Sequence, residues 1–196
     1  MTAPMTAAML ARFQDGFERA EAAGVPEPTA MTLATVDEHG RPSARTMLLK
    51  GVDAEGFVFY TNLDSRKGRQ LAGNPNVSLV FFWRETHEQV KVDGAVEPVS
   101  DEEADAYFAS RPRGSQIGAW ASRQSQPLDQ RETFEQRLAE IEQRYEGVDV
   151  PRPPHWSGLR VRPRRVEFWY ARPYRLHERV CFTLVDEIWQ ESLLFP

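Results

Sequence analysis

GFVFYTNLDSRKGRQLAGNPNVSLVFFWR, residues 56–84, decides the fold. Its ends, Gly56–Thr61 and Val77–Arg84, are runs of aromatic and β-branched residues and read as strands. Between them Ser65–Gly73 reads as a short helix, closed by Gly73-Asn74-Pro75. The same texture extends in both directions. Upstream, Ala30–Val36 is a strand, Asp37-Glu38-His39-Gly40 a turn, Arg41–Lys50 a strand and Val52–Gly56 a turn. Downstream come strands at Gln89–Val99, Leu159–Tyr170 and Arg179–Val185. Short strands joined by turns predict an antiparallel barrel or sandwich, not a parallel sheet with crossover helices. Helices sit around it. Leu10, Phe13 and Phe17 recur at helical spacing within residues 5–23, before Gly24 and Pro26 stop that helix. Ser100-Asp101-Glu102-Glu103 is a capping box that opens a helix to about Ser110. Asp129–Tyr145 is a longer, charge-laced helix, and Pro151-Arg152-Pro153-Pro154 a stiff connector. The expected class is mainly β with peripheral helices (α+β): one domain over residues 1–196, with a helical segment at 1–25.

Bulk numbers exclude several functions. With 196 residues, 41% of them hydrophobic, the chain can bury a full core. A net charge of -5 removes the broad basic face that nucleic acid or an anionic membrane would need, so any anion site must be local. One cysteine, Cys181, allows neither an internal disulfide nor a thiolate zinc site, and His39, His87, His155 and His177 have no metal-ligand spacing. Neither a secretory signal nor a run of about 18 apolar residues is present, which predicts a cytoplasmic protein. GxGxxG, Walker A, GxSxG and HExxH motifs are absent, so a phosphate would have to be held by side chains and helix ends.

Three clusters could do so. Asp64 or Ser65 can cap the helix that follows, placing Arg66 and Lys67 in its first turn. Cations there oppose the helix dipole unless an anion binds at that end, so the segment is either an exposed basic turn or an anion site. Arg111-Pro112-Arg113-Gly114-Ser115 joins two helices, with Ser115 a candidate cap; Arg111 either complements a helix end or serves a second phosphate. On an extended strand Arg175, His177 and Arg179 would share one face, making a cationic pocket with a depressed histidine pKa. The five tryptophans read as core or interface.

These residues lie in longer stretches: RPSARTMLLKG (41–51), GFVFYTN (56–62), SRKGRQLAGNP (65–75), AYFASRPRGSQIGAWASRQSQ (106–126), PRPPHWSG (151–158) and VEFWYARPYRLHER (166–179). Together they resemble the pyridoxamine 5'-phosphate oxidase family, whose fold is a split β-barrel that binds flavin mononucleotide (FMN). The resemblance implies an FMN site of Arg45, Thr46, Met47, Leu48, Leu49, Lys50, Tyr60, Thr61, Arg66, Lys67, Gln89, Gln124, Ser125, Trp169 and Arg179. It implies that Lys50, Tyr107, Arg111 and Ser115 meet the substrate phosphate, with Arg175 and His177 over the reacting carbon and ring. Arg45 and Lys50, five residues apart, would face opposite ways on a regular strand, so they serve different ligands, different subunits or a bulged strand.

The implied activity is oxidation of pyridoxamine or pyridoxine 5'-phosphate to pyridoxal 5'-phosphate, by hydride transfer to the flavin and reduction of O2 to H2O2. The implied assembly is a homodimer with FMN at the subunit interface and residues from both chains in each site. Two departures stand out. Glu178 replaces a customary Asp, and no basic residue precedes the tail Leu194-Phe195-Pro196, so docking of that tail is not implied. Two other readings share the barrel: a flavin oxidase acting on a phenazine-type substrate, and a non-catalytic FMN or pyridoxal-phosphate carrier.

Overall fold

A computed structural model describes residues 3–196. Met1 and Thr2 of the expected N-terminal segment lie outside the described residues. The first helix, α1 (Ala7–Ala22), starts at Thr6, whose Oγ1 accepts from the Met9 N–H at 3.2 Å. It ends in a Schellman motif. Gly24 is left-handed at φ 77°, Val25 N–H reaches Ala20 O, and Gly24 N–H reaches Glu21 O. Its buried stripe of Met9, Phe13, Gly16 and Ala20 faces the sheet. There the Phe13 ring meets Phe57 and Phe81 edge-on at 5.1 and 5.3 Å.

The strands are β1 (Ala30–Val36), β2 (Pro42–Leu48), β3 (Gly51–Asp53), β4 (Gly56–Asn62), β5 (Asn76–Trp83), β6 (Glu88–Pro98), β7 (Trp156–Tyr170), β8 (Glu178–Val185) and β9 (Ile188–Leu193). All pairings are antiparallel, in the order β2-β1-β5-β6-β7-β4-β3, with β8 on β7 and β9 on β8. Strand β7 carries the split. One edge pairs with β6 along nearly its whole length, while the other pairs first with β4 (residues 156–161) and then with β8 (residues 165–170). The change of partner falls where the register shifts at Asp93/Gly94, leaving Arg164 as the extra residue of a bulge beside Pro163. Pro163 has no N–H to give to a ladder, and Gly94 lets the backbones close up, since a Cβ there would lie 2.2 Å from Arg162 O.

Alternate residues point inward. Leu33, Phe57, Phe59, Leu79, Phe81, Val92, Val161 and Phe168 form the main core with α1. A smaller core of Phe108, Ile117, Tyr145, Val150 and Trp156 lies under α3 (Asp101–Ser110), α4 (Arg113–Ala121) and α5 (Arg131–Arg144). The remaining helix, α2 (Arg66–Gly73), packs near β1 and is capped by Ser65, whose Oγ accepts from Gly68 N–H at 3.2 Å.

Four expectations need correction. Arg41–Lys50 is not one strand: β2 stops at Leu48, Leu49 N–H bonds to Thr29 O, and Lys50 N–H bonds instead to Val58 O. The expected turn at Val52–Gly56 therefore opens as β3, and this change of partner resolves the Arg45–Lys50 spacing. Ser115 is not a cap, because α4 begins at Arg113 after Pro112, whose fixed φ suits a helix entry. Arg175 and His177 are not on a strand. Pro173–Arg175 is a 3-10 turn with Tyr174 and Arg175 at φ 57° and 61°, and β8 starts only at Glu178. The tail forms β9 and docks by its backbone, Leu194 N–H donating to Arg179 O.

Candidate functional site

Strand β4, helix α2 and helix α4 meet at a cleft of about 380 Å³. Met47, Tyr60, Thr61, Lys67, Arg111, Ser115 and Gln124 line it, together with Asn62 and Trp156. Its floor is aromatic. Tyr60 stacks on Tyr107 at 3.9 Å and on Trp156 at 5.3 Å, with interplanar angles of 18° and 13°. Gly158, opposite Tyr60 in the β4–β7 ladder, makes room for this, since a Cβ there would lie 2.7 Å from the Tyr60 ring. Burial, then the Glu103 carboxylate, pushes the Tyr60 phenol up to about 12, so it stays protonated at neutral pH.

Cations at this site lack acid partners. Lys67 is 9% exposed, and its Nζ donates to Gln124 Oε1 at 2.8 Å and Ser65 Oγ at 3.4 Å. Arg45 donates to Thr35 Oγ1, Ser43 Oγ, Leu33 O and Gln70 Oε1, all neutral. Burial and then the Arg66 charge lower its pKa. Among the described residues none of Arg45, Arg66, Lys67 and Arg111 forms a salt bridge. Arg152, Arg160, Arg162 and Arg165, by contrast, each hold two carboxylates. Two buried polar atoms of the cleft, Thr61 Oγ1 and Arg111 Nη1, have no hydrogen-bond partner. One buried and two half-buried cations without acid partners, beside unpartnered buried polar atoms in an otherwise acidic protein, fit anionic ligands with several acceptor oxygens. A larger groove of about 680 Å³ between α4 and α5 offers no such set, because its Arg113 is spent on Tyr145 O and Val148 O.

Burial, with help from Arg45, pushes the Lys67 ammonium down to about 8 from an ordinary 10.5. Its folded pKa lies below its unfolded one, so between those values the unfolded chain binds more protons. The ligand-free protein therefore gains stability as pH rises from about 8 towards 10.5. A phosphate beside Lys67 keeps it charged and removes that gain. Thermal melts across this window, with and without saturating ligand, check both trends.

The other expected residues lie elsewhere in the chain. Thr46 and Leu48 point outward from edge strand β2, and Leu49 is buried in the main core. Lys50 lines a different groove, of about 360 Å³, against Phe13 and Phe17 of α1, so within one chain it does not join Tyr107, Arg111 and Ser115. Arg66 is exposed at the α2 start, and Ser125 sits at φ 70° in the loop after α4. Gln89, Trp169 and Arg179 form a row across β6, β7 and β8. Trp169 lies eleven residues along β7 from Gly158, the partner of Tyr60 (169 − 158). That is roughly 35 Å of strand. Arg179 is held by Glu167 Oε1 at 2.7 Å and gives Nη1 to Phe195 O at 2.9 Å, and His177 packs on Trp169 at 4.5 Å. Arg175 is exposed.

Residues 17–145 match the family model described as pyridoxamine 5'-phosphate oxidase. The chain belongs to the pyridoxamine 5'-phosphate oxidase family. Residues 156–196 match a second model, the pyridoxine 5'-phosphate oxidase C-terminal dimerisation region. A Myxococcus xanthus (strain DK1622) protein named pyridoxine/pyridoxamine 5'-phosphate oxidase is 57% identical over 185 residues, 94% of this chain and 90% of the relative. One of the same name from Sphingopyxis alaskensis is 54% identical over 196 residues, 100% of this chain and 91% of the relative. Among solved structures, PhzG from Burkholderia lata 383, in complex with tetrahydrophenazine-1-carboxylic acid, has a TM-score of 0.90 at 34% identity, covering 95% of this chain and 92% of that one. A pyridoxamine 5'-phosphate oxidase-related, FMN binding protein from Nostoc punctiforme PCC 73102 shares the fold, with a TM-score of 0.75 at 18% identity and coverage of 94% and 97%. In this family member the row Trp169–Arg179 and the turn bearing Arg175 and His177 belong to the segment that matches the dimerisation region. The sequence reading passed over Trp156 and Asn62. Trp156 lay in plain view in PRPPHWSG, but a tryptophan is core by default.

Proposed function

We propose that this chain is an FMN-dependent oxidase of pyridoxamine or pyridoxine 5'-phosphate, acting as a homodimer. The observation that carries the reading is the cleft whose cations, buried Lys67 and half-buried Arg111, face neutral groups and unpartnered polar atoms rather than carboxylates. Arg45, Arg66 and Lys67 would hold the FMN phosphate, with Thr61 Oγ1 and Gln124 as further polar contacts. Met47 and Tyr60 supply apolar and aromatic wall for the ring. FMN, when bound, supplies the hydride acceptor and passes the electrons to O2, giving H2O2. Arg111 and Ser115 would hold the substrate phosphate, fixing a group remote from the reacting carbon and so orienting that carbon. Arg175 and His177 of the second subunit would lie over the substrate ring. Gln89, Trp169 and Arg179 would close the flavin site from that same subunit.

This division of labour has a direct test. Lys67→Met and Arg179→Ala chains, each inactive alone at limiting FMN, are unfolded together, reassembled and assayed at that FMN concentration. In random reassortment half the dimers are mixed, and each mixed dimer has one site free of both changes. About one quarter of wild-type activity should return. No recovery, in samples shown to contain mixed dimers, would count against a site shared between subunits.

A phenazine-type substrate is the second reading, favoured by the likeness to PhzG. Arg111, with its buried unpartnered Nη1, speaks for a phosphorylated substrate instead.

A further inference from the structure

The Arg111 guanidinium has no side-chain hydrogen bond and no salt bridge among the described residues, yet the residue is half-buried and its Nη1 is enclosed without a partner. What holds it is aromatic. Its Cζ lies 4.8 Å from the centroid of the Trp156 ring and 5.6 Å from that of Phe108. Trp156 is itself fixed. It is 6% exposed, meets Phe108 edge-on at 5.1 Å, and runs nearly parallel to Tyr107 at 6.1 Å and 6°. It also stacks on Tyr60 and lies at the first position of β7, opposite Asn62. A flat cation on a ring face keeps its in-plane N–H groups free for a ligand, whereas a carboxylate would consume them. Burial lowers the Arg111 pKa while Tyr107 raises it, and the ring faces of Trp156 and Phe108 add an attraction that offsets loss of water from the charge.

We infer that Trp156 is the positioning residue that seats Arg111 for a phosphorylated substrate and so sets preference for the phosphate ester. The inference rests on the proposed role of Arg111 in holding the substrate phosphate. It predicts that Trp156 acts on substrate capture more than on turnover, because the phosphate is remote from the reacting carbon.

The test uses the FMN-loaded enzyme with pyridoxine 5'-phosphate, and with inorganic phosphate as a competitive inhibitor. Trp156→Leu should raise KM about tenfold and weaken phosphate inhibition to the same degree, with a smaller change in kcat. Trp156→Phe, which keeps a ring face, should raise KM by about threefold or less. An unchanged KM in Trp156→Leu, while Arg111→Ala raises it, overturns the inference and leaves the phosphate reading standing. An unchanged KM in Arg111→Ala overturns the phosphate reading itself. Should Trp156→Leu not fold, the cycle of Trp156→Phe and Arg111→Lys decides, since Lys keeps the charge but cannot lie flat. The double variant should then be no worse than Arg111→Lys alone, and additive losses overturn the inference.

Discussion

Arg111→Ala should raise the KM for pyridoxine 5'-phosphate by about 10- to 100-fold and lower kcat far less. The size follows from a hydrogen-bonded charge pair in a desolvated setting, worth about 1.5–3 kcal/mol per bond to a charged group. The direction follows from geometry: Arg111 lines the cleft with one buried N–H left over, and a phosphate oxygen is the acceptor it lacks. Because a contact to a phosphate remote from the reacting carbon would be equal in ground and transition states, the loss should fall on KM. Stability should change little, since the guanidinium forms no salt bridge among the described residues and an unpartnered N–H is removed with it. Steady-state kinetics with the phosphate ester, set beside a thermal melt, separate the two effects.

Lys67→Met gives two effects of opposite sign. FMN affinity should fall by about 10- to 100-fold, by the same charge-assisted hydrogen-bond arithmetic, if Lys67 holds its phosphate as proposed. The ligand-free protein becomes more stable, because a buried ammonium facing only Ser65 Oγ and Gln124 Oε1 is replaced by an apolar chain of similar length. The pH-dependent gain in stability above about 8 disappears with the ammonium. A cation kept at a cost to the empty protein is the mark of a binding group. Flavin titration and melts of the apoprotein read both effects.

Much of this was legible in the residues. The β-favouring runs at Val77–Arg84 and Gln89–Val99 gave β5 and β6 to within a residue or two, and Ser65 was a readable cap. The hairpin β8–β9 was not, because its turn is Asp186-Glu187 at φ 48° and 63°, without the glycine that marks such turns. The Arg175–His177 segment misled for a related reason. Two non-glycine residues take left-handed φ after Pro173, and no period-2 reading anticipates that. Within the site, clustered charges such as Arg66-Lys67 show in a linear text. The seat of Arg111 does not, because Trp156 lies 45 residues away (156 − 111) and reaches it only by folding. Nor can one chain's text show which residues face a second copy. The distance along β7 between Tyr60's partner and Trp169 supports the proposal that Trp169 serves the site of a second copy.

Two phosphate seats in one cleft, as proposed, would bring the rings they anchor together for electron transfer. Rapid anaerobic mixing of the FMN-loaded protein with pyridoxamine 5'-phosphate asks this directly. Loss of the visible flavin absorbance, restored on admitting O2 with H2O2 formed, is the expected result. Flavin that stays fully oxidised beside bound substrate would contradict the oxidase and leave a carrier in its place.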